Sequence, residues 1–339
     1  MNNSYDTINR VLSSSSLGRA KSIRQLGGTA TKKFETHTPK GRFVVRIRPI
    51  EFATHDLIRF DHTMLQNLTK MQLPVPRLQK KADGTTWIKI DEDVFEVLSW
   101  IEGKYFDFDD AEALKNLGEL LGKFHSIPPN KIPSGKEGWL REDHPDLLRQ
   151  YVTQLTILCK TDAEKEDIRK LEIQLNRVKN KLTPIYNDLP QAVIHGDIHP
   201  GNVAFENSKV SAVYDFDYLS IQARVRDLSD AIIFFAANRE SAIVADDIYS
   251  LTAPFKLDLE RSLILLRGYH QINPLEAAEI QVLPEFMKSR WCQIRLRGSR
   301  KVEESKKVAF VLNDFFELIA HVDSVGTEFT KSILQGLNI

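Results

Sequence analysis

Eight residues, His195-Gly196-Asp197-Ile198-His199-Pro200-Gly201-Asn202, follow the apolar run Ala192-Val193-Ile194. A second short strand pattern, Val210 to Tyr214, ends in Asp215-Phe216-Asp217. Two strands thus bring an Asp, an Asn and another Asp to one place. Carboxylate and amide oxygens are the hard ligands that Mg²⁺ takes, one or two from the protein and the rest from water and phosphate. A further carboxylate can accept a proton from a reacting hydroxyl. The competing reading is a polar β-turn, because Gly, Asp, Pro and Asn are turn residues in any case. The length of the string, and the D-F-D at strand distance after it, favour chemistry.

His195, Asp197 and Asn202 keep the H-x-D-x-x-x-x-N spacing of the protein-kinase catalytic loop, and Asp215 stands where the Asp of D-F-G would. HGDIHPGN followed by VYDFD resembles the aminoglycoside phosphotransferase and choline kinase superfamily, the small-molecule relatives of protein kinases. The resemblance implies a bilobal α+β protein-kinase-like fold, ATP and Mg²⁺. It makes Asp197 the catalytic base that orients the acceptor hydroxyl, and Asn202 and Asp215 the metal ligands. Asp217 reads either as a further metal or substrate ligand or as a turn acid. The likeness runs over roughly residues 20–300 and is specific at 195–217.

The elements that must position these residues follow from punctuation and period. Ser22 to Leu26 leads into Gly27-Gly28, and strands resume at Lys33 to Thr36 and Arg42 to Ile47 around Pro39-Lys40-Gly41. In the kinase-like reading Gly27 and Gly28 let backbone approach the ATP phosphates; as two glycines alone they are ordinary turn residues. The family's usual strand lysine, which pairs the phosphates and a helix Glu, is here Arg46. The helix from about Thr54 to Met71 offers Asp61 at the expected acid, so an Arg46–Asp61 ion pair is proposed from sequence, against the alternative of a solvated Arg and Asp. Asp83-Gly84 signals a hairpin turn flanked by Trp87 to Ile90 and Val94 to Leu98. Ser99-Trp100-Ile101-Glu102-Gly103 resembles the hinge whose backbone binds adenine, and Trp100 reads as core filling or an adenine wall. Residues 1–98 then form a nucleotide-binding lobe with a five-stranded antiparallel sheet and one main helix. Residues 99–103 are the hinge, and 104–339 a helical lobe with the catalytic loop and acceptor site.

In that lobe Leu114, Leu117, Leu120, Leu121 and Phe124 recur at helical spacing, with His125 after them in a structural place. Gly118-Glu119-Leu120-Leu121-Gly122-Lys123 mimics a phosphate loop, but the spacing is one residue short, no Ser or Thr follows, and it lies inside a helix. Residues 128–140 read as a loop and Asp146 to Cys159 as a helix. Ala163 to Leu182 is a charged helix with Ile168, Leu171, Leu175, Val178 and Leu182 on one packing stripe. Asp227 reads as a helix N-cap, and by resemblance as a brace for the catalytic loop. G-Y-x-x-x-x-P-L-x-x-x-E from Gly268 looks like type II homoserine kinases, where this region lies beside the acceptor. Tyr269 and Trp291 therefore read as substrate contacts or as aromatic core.

Composition narrows the class. The chain has 339 residues, 42% apolar and 27% charged, with a formal net charge of zero. No global field argues for nucleic acid, and no stretch is apolar enough to span a membrane; the longest apolar run, Ala231 to Ala237, is far too short. Cys159 and Cys292 give no zinc or disulfide spacing, which fits a cytoplasmic protein. Nothing specifies an oligomeric state. The expectation is an ATP·Mg²⁺-dependent phosphotransferase acting on a small-molecule hydroxyl, with the C-terminal pattern leaning to an amino-alcohol such as homoserine. The alternatives are a bacterial stress-response-type protein Ser/Thr kinase, and a non-catalytic nucleotide-binding module that the Arg46 departure would suit.

Overall fold

Turn formers interrupt the first hundred residues every few positions, and this part of the chain folds as a sheet. The computed structural model describes residues 2–27, 32–128, 131–138, 144–244 and 247–339. Helix α1 (Asn2–Ser14) precedes strands β1 (Ser22–Leu26), β2 (Lys33–Thr38) and β3 (Gly41–Ile47). Helix α2 (His55–Lys70), β4 (Ile88–Ile90) and β5 (Asp93–Ser99) complete the small lobe. The five strands pair antiparallel in the order β1-β2-β3-β5-β4.

The strand period of two sorts this sheet into unlike faces. Phe43 and Val45 of β3 pack with Phe95 and Val97 of β5 under Ile8, Val11 and Leu12 of α1. The opposite face carries Val44, Arg46, Glu96 and Leu98 and lines a cavity. Arg46 and Glu96 face each other in the ladder. The hairpin turn between β4 and β5 is not Asp83-Gly84. It is Asp91-Glu92, where Asp91 takes φ 53°, a conformation a short polar side chain tolerates. Asp83-Gly84 closes an earlier turn, with Lys81 N–H donating to Thr85 C=O at 2.8 Å.

The large lobe is mostly helical. Its elements are α3 (Ala111–Phe124), α4 (Pro145–Leu158), α5 (Asp162–Leu182), β6 (Gln191–Ile194), β7 (Val203–Glu206), β8 (Lys209–Val213), β9 (Ser220–Ala223) and α6 (Val225–Ala231). A π-helical turn (Ile232–Ala236) and α7 (Ile248–Leu251) follow, then α8 (Leu259–Ile272), α9 (Ala277–Gly298), α10 (Lys307–Leu312) and α11 (Phe315–Leu337). Thr161 and Glu164 close a capping box at the start of α5, whose apolar stripe is buried. Helix α3 lies so close to α8 that a Cβ on Gly118 would sit 2.0 Å from the Leu265 carbonyl oxygen. That glycine serves helix packing, which disposes of the phosphate-loop mimic. Two ribbons, β6–β9 and β7–β8, hold the segment 195–202 between them. Among the described residues no helix is long and apolar enough to cross a membrane.

Candidate active site

The loop after β6 is held by its own backbone amides. Asp227, in the first turn of α6, accepts from His195 N–H at 2.6 Å and Gly196 N–H at 2.9 Å. It is a brace and not a cap, since Arg224 occupies the cap position. His125, at the end of α3, bonds Asp227 at 3.2 Å and the Tyr269 hydroxyl at 2.9 Å. Burial pushes the Asp227 carboxyl up, and His125 and Arg226 outweigh it, bringing it down to about 2. His195 is fully buried. One ring nitrogen, Nε2, lies 2.7 Å from the Tyr214 carbonyl and must donate, while Nδ1 accepts from Asp197 N–H at 3.3 Å. That pattern requires the neutral ring, and burial lowers the His195 pKa accordingly. Gly196 takes φ +81°, and a Cβ there would meet the Tyr218 carbonyl oxygen at 2.5 Å. The sequence HGD therefore needs its glycine.

Asp197, Asn202 and Asp215 all line one cavity of about 610 Å³ between the lobes. Asn202 Nδ2 donates to the Asp197 carbonyl at 2.9 Å. With its nitrogen committed there, its side-chain oxygen is the atom available to a cation. Asp215 adopts φ 60°, ψ 74°, an uncommon conformation for a residue with a Cβ, and it sits where β8 turns away. Its Oδ2 accepts from Lys33 Nζ at 2.9 Å, and Arg46 lies 3.6 Å from Oδ1. Burial raises its pKa, but Lys33 and Arg46 bring it down to about 2. An ionised carboxylate and an amide oxygen form a donor set that suits Mg²⁺. Burial likewise works against the Asp197 carboxylate, yet His199, 3.6 Å away, and Arg290, 4.0 Å away, hold it well below the usual carboxylate range.

The Arg46–Asp61 pair proposed from sequence does not form. Arg46 Nε donates to Glu96 Oε2 at 2.5 Å, and its outer nitrogen bonds Asp217. Asp61 is bonded instead by Arg48, and by Lys136 Nζ at 2.5 Å. Arg46 and Arg48 lie two residues apart and so share a strand face. The more distant one reaches the helix, while Arg46 turns toward the D-F-D segment. Glu96 also accepts from Arg48 at 2.6 Å and pairs with His62 at 2.8 Å. Burial pushes Asp61 up to about 6 against Lys136 and Arg48, and it raises Asp217 against Arg46. Asp217 is thus neither a turn acid nor solvent-facing; its side chain is tied to Arg46 and its carbonyl accepts from Lys136 at 2.9 Å.

Sequence reasoning did not find Lys33, Arg48, Glu96 or Lys136. Lys33 and Glu96 carry one detectable signal, ionisable residues at strand positions facing inward, and Arg48 follows its strand directly. Lys136 carries none, because its loop reads as solvated. Gly27 lines the cavity, and Gly28 lies outside the described residues. Of the hinge, Ser99 N–H donates to Arg77 C=O at 2.9 Å and the Ile101 carbonyl accepts from Tyr214 Oη at 3.1 Å. Trp100 lines the cavity, with the Arg42 guanidinium 4.2 Å from its ring centre. Tyr269 and Trp291 are core. The first is bonded to His125, and the second donates Nε1–H to the Phe315 carbonyl at 3.2 Å. Helix α9 turns a different face to the cavity, with Arg290, Gln293, Ile294 and Arg297.

The sequence pattern of the phosphotransferase enzyme family matches residues 22–259. A homoserine kinase of Zymomonas mobilis is 24% identical over 221 residues, 65% of this chain, which spans 62% of that enzyme's length. A homoserine kinase of Rhizobium meliloti is 22% identical over 293 residues, 82% of this chain and 79% of that one. Among solved structures, a microcompartment-associated aminopropanol kinase superposes with a TM-score of 0.70 at 14% identity, covering 96% of this chain and 98% of its own. A complex of amicoumacin kinase with AMP-PNP, Ca²⁺ and Ami gives 0.64 at 16% identity, covering 94% and 96%. These neighbours share the bilobal α+β kinase-like fold described above. With its pattern matched over well more than half of the sequence, the chain belongs to the phosphotransferase enzyme family.

Proposed function

We propose that this protein transfers the γ-phosphoryl group of ATP, with Mg²⁺, to a hydroxyl of a small molecule, an amino-alcohol such as homoserine being the favoured class. The observation that carries this reading is the meeting of Asp197, Asn202 and Asp215 on one cavity between the lobes. Asp197 is ionised and braced through its loop, so it can orient an acceptor hydroxyl and take its proton. Asn202 and Asp215 would hold the metal, which would supply charge neutralisation on the phosphate. Arg46 occupies the usual lysine place but is pinned by Glu96 and Asp217. Lys33, its partner in the β2–β3 ladder, brings a point-charge ammonium to the same spot. The homoserine kinase relatives and the aminopropanol kinase neighbour support the acceptor class.

The test is ATP consumption with Mg²⁺ across homoserine, choline, ethanolamine, sugars and aminoglycosides. One acceptor should raise turnover, and Asp197→Asn should lower kcat about 10²- to 10⁴-fold with ATP binding retained. Turnover that survives in Asp197→Asn would remove Asp197 as the base. A flat panel with self-labelling by radioactive ATP would point to a protein acceptor.

A further inference from the structure

One wall of the cavity is built from the end of α9. Arg290, Gln293, Ile294, Arg297 and Lys301 recur at three- and four-residue steps, so they fall on one side of the helix and the turn that extends it. All five line the cavity, as does Arg300. The stretch from Arg290 to Lys301 holds five basic residues and no acidic one. Arg290 is buried and fixed by a bond to Asp230, leaving an outer nitrogen 4.0 Å from the Asp197 carboxylate. Arg297 is positioned by Tyr218, donating to its hydroxyl at 3.2 Å and lying 5.0 Å over its ring. Lys301 feels its surroundings: desolvation lowers its pKa, the Arg300 and Arg297 charges lower it further, and Asp197 and Asp215 pull the other way. Gln293 adds a buried Oε1 that accepts no hydrogen bond among the described residues.

Arg290 lies beside the base, and Lys301, at the far end of the row, still feels Asp197 and Asp215. The small lobe meanwhile has its own cations, Lys33 and Arg46, gathered at Asp215. The cations at the end of α9 reach the cavity from the large lobe, opposite that pair. We infer that the α9 wall is a specificity site for an acceptor carrying a compact anion, a carboxylate or a phosphate, a few atoms from its reacting hydroxyl. Arg297 and Lys301 hold the anion and Gln293 accepts from a neighbouring ammonium or hydroxyl. Charge-assisted bonds to a planar guanidinium fork suit such an anion. A polycationic acceptor would meet like charge on this wall. The inference rests on the phosphotransferase reading above and names its substrate class.

Matched acceptors test it on the full-length protein. L-homoserine and 3-aminopropan-1-ol differ by one carboxylate; glycerol 3-phosphate and glycerol differ by one phosphate. The anionic member of one pair should show the higher kcat/KM, by at least about tenfold, for the one or two charge-assisted bonds involved. Arg297→Met with Lys301→Met should erase that ratio through a raised KM for the anionic member, with KM for ATP as the control. Which pair shows the ratio tells carboxylate from phosphate. Preference for the neutral member in both pairs overturns the inference and leaves the phosphotransferase reading standing. So does a double variant that raises KM for ATP and leaves the acceptor ratio intact. If no acceptor turns over, calorimetry with AMP-PNP and Mg²⁺ decides. Binding of an anionic probe that the double variant loses supports the wall even though none of these four acceptors is the substrate; no binding of either anion overturns the wall.

Discussion

Two polar clusters meet at Asp215, and they are assembled in opposite ways. The catalytic loop is eight consecutive residues, with its brace, Asp227, only 32 positions from His195. The second network gathers Lys33, Arg46, Arg48, Asp61, Glu96, Lys136 and Asp217 from six separate stretches of both lobes. In the loop, mostly neutral backbone groups satisfy one charge. In the network, charges satisfy charges, and each acid is shared by two or more cations. The loop can therefore be broken at one residue with a local result, while the network should fail as a unit, since removing one member leaves buried charges without partners.

Glu96 gives the largest expected effect. It takes bonds from Arg46, Arg48 and His62 at once. Glu96→Ala should cost about 3–5 kcal/mol in denaturant unfolding, the range for breaking a buried ion pair on one side. ATP binding should weaken with it, because Arg46 loses one of its two fixed partners. A loss near about 1 kcal/mol, with normal ATP affinity, would show that the network tolerates piecewise removal, and the contrast with the loop would collapse.

Gly196 is the corresponding break in the loop. An alanine there must hold φ near +81° and push against the Tyr218 carbonyl at 2.5 Å. The expected cost is about 3 kcal/mol, the upper end for a single strained backbone position. Turnover should fall far more than ATP affinity, since the displaced residue is Asp197. Equal losses in both would mean that loop and network are one cooperative structure.

The same contrast decided what the sequence disclosed. That Asp197, Asn202 and Asp215 meet on one cavity was legible because one loop and the short ribbon after it fix their spacing. The five strands of the small lobe were legible from turn residues and period, apart from the β4–β5 turn. There Asp83-Gly84 carried the stronger local signal, but Asp91 could take the left-handed conformation with no glycine beside it. The network was opaque for the converse reason. Arg46 has three acids within reach in space, and nothing along the chain ranks Asp61 below Glu96 and Asp217. Lys136 comes from a loop whose composition reads as solvated, yet it is buried between two acids' oxygens. Trp291 sits on α9, which lines the cavity with another face, and Tyr269 on α8, none of whose residues line it; which face a helix turns inward belongs to packing.

The smallest effect separates the clusters by pH. Asp227 titrates at about 2 in the folded protein against an ordinary value of 3.8. Its folded pKa is depressed, so its stabilisation is present above pH 3.8 and is lost as pH falls through about 2. The amount is about 2 kcal/mol. Other acids also lose stability there, Glu35 among them with its arginine partners Arg24 and Arg42, so the wild-type curve alone does not isolate the brace. The difference between wild type and Asp227→Asn does. Asparagine has no proton to gain, so the stability gap between the two proteins should shrink as pH drops from 5 toward 2. A gap that stays constant over that range would mean the two loop amides are held equally well by a neutral acceptor, and the charge on Asp227 would then be incidental to the brace.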